Sequence, residues 1–134
     1  LAVRRRPTEL IVLVVGFALV YVAVHVTKGA IDRPRPAGPL VDTSLSSFPS
    51  GHAAYATAWI AVALVFTRRL GLVSAALVTG AIVLAAAVGA SRIYLRAHYW
   101  SDVAAGWGLG AAALGLCATV ALVINHIRNN GRTA

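Results

Sequence analysis

Four apolar runs separated by short polar islands limit what this chain can become: about Glu9 to Thr27, Ser50 to Phe66, Leu70 to Ala90 and Asp102 to His126. About 20 helical residues cross the hydrocarbon core of a bilayer, where every backbone polar group must be satisfied within its own segment. Runs of this length, dominated by Ala, Val and Leu, are expected as membrane-spanning helices. The second reaches bilayer length only if its helix begins near Pro49, a residue tolerated in a first helical turn. The expected fold is all-α, a multi-pass transmembrane helix bundle forming one domain over residues 1–134. Because the chain opens on Leu1 and contains no Met, it is expected to be part of a longer protein whose front supplies further helices.

Charge follows the runs. Arg4–Arg6, Arg68–Arg69 and Arg128 with Arg132 fall on one side of an alternating four-span topology, which makes that side cytoplasmic. The opposite side receives the islands 28–49 and 91–101. A net charge of +8 would suit a nucleic-acid partner only if it formed an exposed basic face with interleaved aromatics; here the arginines flank apolar runs, and no nucleic acid is expected. The one cysteine, Cys117, lies inside an apolar run and has no partner for an internal disulfide.

The second island carries the densest chemistry. Ser91-Arg92 is followed by His98 and, four residues later, by Asp102. That spacing can bring a carboxylate under an imidazole within one helical turn, fixing the ring tautomer and balancing its charge, while the other ring nitrogen attacks an electrophile or carries a proton. Arg92 offers a guanidinium fork that matches a pair of phosphate oxygens. An interfacial ion cluster would contain the same residues, so the first island matters. Lys28 and Arg35-Pro36 belong to an expected loop from Lys28 to Pro49 in which Pro34, Pro36 and Pro39 forbid a regular helix, and Pro49-Ser50-Gly51-His52 opens the second run.

These three clusters, in this order, resemble the signature motifs of the type 2 phosphatidic acid phosphatase (PAP2) family: K-x6-R-P at Lys28 to Pro36, P-S-G-H at Pro49 to His52, and S-R-x5-H-x3-D at Ser91 to Asp102. The resemblance implies a helical core shared with vanadium-dependent haloperoxidases. It also implies an integral membrane phosphatase acting on a lipid phosphate or diphosphate, such as a prenyl diphosphate, phosphatidic acid or phosphatidylglycerol phosphate. In such an enzyme His98 forms a phosphohistidine, Asp102 orients and charge-balances it, and His52 serves as acid and then base. Lys28, Arg35 and Arg92 would clamp the phosphate, with Ser50, Gly51 and the positive end of the second helix adding donors. Three cations leave no need for a metal, and no cofactor is called for. The partners implied are the lipid substrate and the surrounding membrane lipids, in the plasma or inner membrane, with the site on its extracytoplasmic face. A lipid-linked phosphotransferase and a non-catalytic lipid-binding or transport relative are the alternatives.

Other polar residues have plainer readings. Arg33-Pro34, two residues too early for the motif spacing, is assigned to the loop, and Asp32 and Asp42 to solvated loop positions. His25 and His126 read as interfacial or structural, and Tyr94, Tyr99 and Trp100 as an interface belt. Gly106 and Gly110 form a small-x-x-x-small pair suited to close helix packing.

Overall fold

The computed structural model describes residues 7–67 and 71–130. It contains four helices: α1 (Pro7–Ile31), α2 (Gly51–Thr67), α3 (Leu72–Tyr94) and α4 (Trp100–Asn130). No strand occurs among the described residues. Three stretches, Glu9–Ile31, Leu72–Tyr94 and Trp100–Ile124, are long and apolar enough to cross a membrane, and α2 contributes the shorter apolar stretch Gly51–Leu64. The arginines at 4–6, 68–69 and 132, on which sidedness was read, lie outside the described residues.

Helix ends follow local chemistry. α1 starts on a proline and carries Glu9 in its first turn, both suited to the positive end of a helix. It runs past Thr27 and takes Lys28 into its last turn, then stops where Asp32 turns left-handed (φ 42°) and donates its N–H to the Lys28 carbonyl at 3.1 Å. α3 ends in a Schellman arrangement. Ala97 N–H donates to Arg92 O at 3.0 Å and Arg96 N–H to Ile93 O at 2.9 Å, with Arg96 left-handed at φ 53°, a conformation more usual for glycine.

α2 is the central element: it packs against α3 and α4 and more lightly against α1, which also packs against α4. The buried cluster is small, consisting of Val20, Val24, Ala54, Ala58 and Leu114, bordered by Phe17, Tyr55 and Leu109. Much of the remaining apolar surface faces outward, as on Val14, Leu72 and Leu122. Lipid tails rather than a protein core cover such side chains, so helix association rests on close packing of small residues. Gly106 and Gly110 serve that purpose. A Cβ at Gly110 would come within 2.6 Å of Ala54 O, and one at Gly106 would collide with Ser50 O, so α4 lies directly on the backbone of α2 where α2 begins.

Candidate active site

The loop 32–50 folds back over the ends of the helices, and a cavity of about 290 Å³ opens beneath it. Each motif reaches that cavity by a separate local device. Lys28 projects from the last turn of α1 and donates from Nζ to Ser46 O at 2.5 Å. Arg35 is held on four sides, donating from Nη1 to Ala97 O (2.7 Å), from Nη2 to Ser44 O (2.6 Å) and from Nε to Leu45 O (3.2 Å), with Nη1 3.4 Å from His98 Nε2. Burial draws its pKa down from the ordinary value, yet a guanidinium stays charged at neutral pH. Arg92 comes from the last turn of α3, and its carbonyl accepts from both Ala97 and His98 N–H, so the Schellman turn that ends α3 also places His98.

Lys28, Arg35, Gly51, His52, Arg92 and His98 all line the cavity. Ser50 does not. It is fully buried at the N-cap of α2, where its hydroxyl accepts weakly from Ala53 N–H (3.4 Å) and its own N–H donates to Asp102 O (2.9 Å). Its place is to start the helix whose first residues, Gly51 and His52, face the cavity.

Asp102 also stays out of the cavity wall, and here the structure corrects the expected geometry. The four-residue spacing can bring a carboxylate under the His98 ring within one helical turn, but the helix begins only at Trp100, so residues 98 and 102 do not share a continuous turn. Asp102 Oδ2 lies 3.7 Å from His98 Nδ1, beyond hydrogen-bond distance. Nδ1 instead lies 2.7 Å from the Ser47 carbonyl. A carbonyl only accepts, so Nδ1 carries the proton and Nε2 presents its lone pair beside Arg35. Burial, aided by the nearby Arg35 and Lys28 charges, pushes the His98 pKa down to about 4, against the opposing effects of the Ser47 carbonyl and Asp102. The ring is neutral at pH 7, as a nitrogen nucleophile must be.

Three residues given plain readings from sequence have further contacts in the structure. Arg33 donates from Nη1 to Asp102 Oδ1 at 2.7 Å and to Ser101 Oγ at 2.8 Å, with its guanidinium 4.4 Å over the Tyr99 ring. Arg33 thus lies in the loop and off the cavity wall, with a buried partner in Asp102. His25, stacked on Tyr21, lines the cavity, as does Asp42. A pattern for part of this was present in the sequence: Asp102 sits three residues after the N-cap Tyr99 and accepts its N–H (2.8 Å), a capping-box bond. Nothing local marked Arg33, whose partners are 68 and 69 residues away.

A family model, the PAP2 superfamily, matches residues 9–125. The chain belongs to the PAP2 superfamily. Decaprenylphosphoryl-5-phosphoribose phosphatase of Mycobacterium tuberculosis (strain CDC 1551 / Oshkosh) is 38% identical over 116 residues, covering 83% of this chain and 60% of the relative. Phosphatidylglycerophosphatase B of Bacillus subtilis (strain 168) is 38% identical over 92 residues, 63% of this chain and 44% of the relative. The crystal structure of a transmembrane PAP2 type phosphatidylglycerolphosphate phosphatase from Bacillus subtilis superposes with a TM-score of 0.75 at 31% identity, over 82% of this chain and 57% of that one. The chain thus spans about 60% of the length of the first curated relative it matches. As a PAP2 protein with membrane-length helices, it is a membrane protein.

Proposed function

We propose that the protein is an integral membrane phosphatase that hydrolyses the phosphomonoester or diphosphate of a lipid through a phosphohistidine. The observation that carries this reading is the convergence on one cavity of three cations, Lys28, Arg35 and Arg92, with a neutral His98 and with His52 at the positive end of α2. A phosphoryl group brings two or more negative charges and spreads charge over its equatorial oxygens during transfer, so fixed cations and helix-end amides favour it there.

In the reaction the His98 Nε2 lone pair forms a bond to phosphorus as the ester P–O bond breaks, and His52 donates a proton to the departing oxygen. Water then attacks the phosphohistidine, His52 takes a proton from it, and cleavage of the P–N bond releases phosphate and neutral His98. Gly51 allows the anion close to the backbone at the start of α2. The relatives' names, which specify a phosphoribose on a decaprenyl lipid and a glycerophosphate on a phosphatidyl lipid, support a lipid-linked phosphate as the substrate class. The distribution of arginines around the apolar runs of the sequence supports an extracytoplasmic site in the plasma or inner membrane.

Phosphate release by the complete protein in detergent, without added metal, is to be measured against prenyl diphosphates, phosphatidic acid and phosphatidylglycerol phosphate. Release from at least one lipid is expected, with His98→Ala lowering it by about 10³-fold or more. Full activity in that variant would sink the mechanism, and transfer of phosphate to an added alcohol instead of water would make the protein a phosphotransferase.

A further inference from the structure

Asp102 ties the loop 32–50 to the start of α4, and its bonds lead away from the cavity. It is fully buried; Oδ1 accepts from Arg33 Nη1, and Oδ2 accepts from Ser47 Oγ in a short bond and from Tyr99 N–H. Its main-chain carbonyl accepts from Ser50 N–H at 2.9 Å. Arg33 and Ser47 are further joined by the Ser47 N–H bond to Arg33 O (2.8 Å), and Arg33 N–H donates to Ser46 Oγ (2.9 Å). One face of this assembly presents the Ser47 carbonyl to His98 Nδ1. The same stretch supplies the Ser46 carbonyl that receives Lys28.

We infer that Arg33 is a positioning residue for His98: by pairing with Asp102 it holds the loop so that the Ser47 carbonyl meets Nδ1 and fixes the ring's tautomer and aim, with the carboxylate kept 3.7 Å away. This rests on the phosphatase reading above and deepens it. Three observations carry it. Arg33, Ser47 and Asp102 are absent from the cavity wall, so their influence on a substrate must pass through other groups. The carboxylate's hydrogen bonds go to Arg33, Ser47 and Tyr99, leaving His98 at 3.7 Å. Finally, a buried carboxylate is costly without a paired cation, and Arg33, at 2.7 Å, is the cation paired with it among the described residues. Loss of Arg33 would leave Asp102 charged and unpaired beside the imidazole, free to draw Nδ1–H from Ser47.

The test compares kcat and KM for phosphate release by the complete protein, using the lipid that the wild type cleaves best. Arg33→Ala is expected to lower kcat by about 10–100-fold, as loss of a group orienting an active-site histidine does elsewhere, with KM within about 3-fold. Arg33→Lys, which returns a cation to Oδ1 without the planar fork over Tyr99, is expected to recover part of the loss. In the double variant with Asp102→Asn, Arg33→Ala should cost little beyond Asp102→Asn alone, because both act through one unit. A rise in KM at constant kcat would make Arg33 a substrate contact and overturn the inference, as would unchanged kinetics or full additivity in the double variant. If Arg33→Ala does not accumulate in membranes, the cycle is run with Arg33→Lys and the same criteria apply. The NMR signal of the His98 Nδ1–H proton separates this inference from the phosphatase reading. It should shift in Arg33→Ala even if no lipid is cleaved by the wild type, and an unmoved signal would overturn the inference alone.

Discussion

At the capped end of the molecule, Lys28, Arg33, Arg35, Ser47 and Asp102 exchange hydrogen bonds between segments up to 69 residues apart, whereas along the helical body Val20, Val24, Ala54, Ala58 and Leu114 meet through small apolar contacts. The difference follows from the surroundings. In lipid, apolar burial between helices gains little, because the tails are as apolar as leucine, and cohesion falls to close approach at residues such as Gly106 and Gly110. At the capped end the loop carries many backbone donors and acceptors that must be satisfied, and the cations hold one another apart unless anions or carbonyls intervene. Substitutions at the two ends should therefore fail in different ways: chemistry first at the cap, association first in the body.

After His98 itself, the largest effect expected is at Arg35. Arg35→Ala removes one clamp on the phosphate and the cation beside His98 Nε2, and should lower kcat/KM by about 10²–10³-fold while leaving thermal unfolding in detergent nearly unchanged. Equal loss of activity and stability would erase the distinction between cap and body.

Titration of His98 sharpens the comparison. Its ring should remain neutral on acidification past pH 5 and take up a proton near pH 4 rather than at the ordinary 6.5, as followed by its ring carbon signals in NMR. The sign follows from the cause: burial and the neighbouring cations disfavour the charged imidazolium, so lower pH is needed to form it. Protonation at the ordinary value would mean that the cavity is as wet as bulk solvent.

In the body, Gly106→Val should wedge α4 off the first turn of α2 and cost about 2 kcal/mol in unfolding free energy, with activity lost as a consequence of the displaced Ser50-Gly51-His52 turn. Retained stability would show that the seam can open without harm. The smallest effect is expected at the end of α3. Arg96 holds a left-handed conformation, so Arg96→Gly should be tolerated and Arg96→Val should cost about 1 kcal/mol or somewhat more, read as a lowered unfolding midpoint.

How much of this was legible in the chain can be argued residue by residue. The apolar runs announced the helices because a bilayer leaves spanning segments few alternatives, while α1 runs on past Thr27 to Ile31 and ends where Asp32 turns left-handed. Lys28, Arg35, Gly51, His52, Arg92 and His98 could be named from motif spacing, and the fold brings them to one cavity. Ser50 could be named too, as an N-cap as well as a phosphate donor, and the fold puts it at the cap of α2, away from that cavity. The position of Asp102 was evident in the motif; its partners were not. Four residues separate it from His98, and a helix start falls between them, so the carboxylate comes within 3.7 Å of the ring while its hydrogen bonds go to Arg33, Ser47 and Tyr99.

The sequence by itself determined the helical, membrane-embedded architecture and the identity of the charged groups, since hydrophobic run length and residue chemistry are local properties. Only the tertiary structure decided which group each charge would meet. Arg33 and Arg35 are two residues apart and chemically identical, yet one turns to a buried carboxylate and the other to the cavity beside His98. That choice depends on where a folded loop places carbonyls and anions contributed by residues more than 60 positions away, and no local rule specifies it.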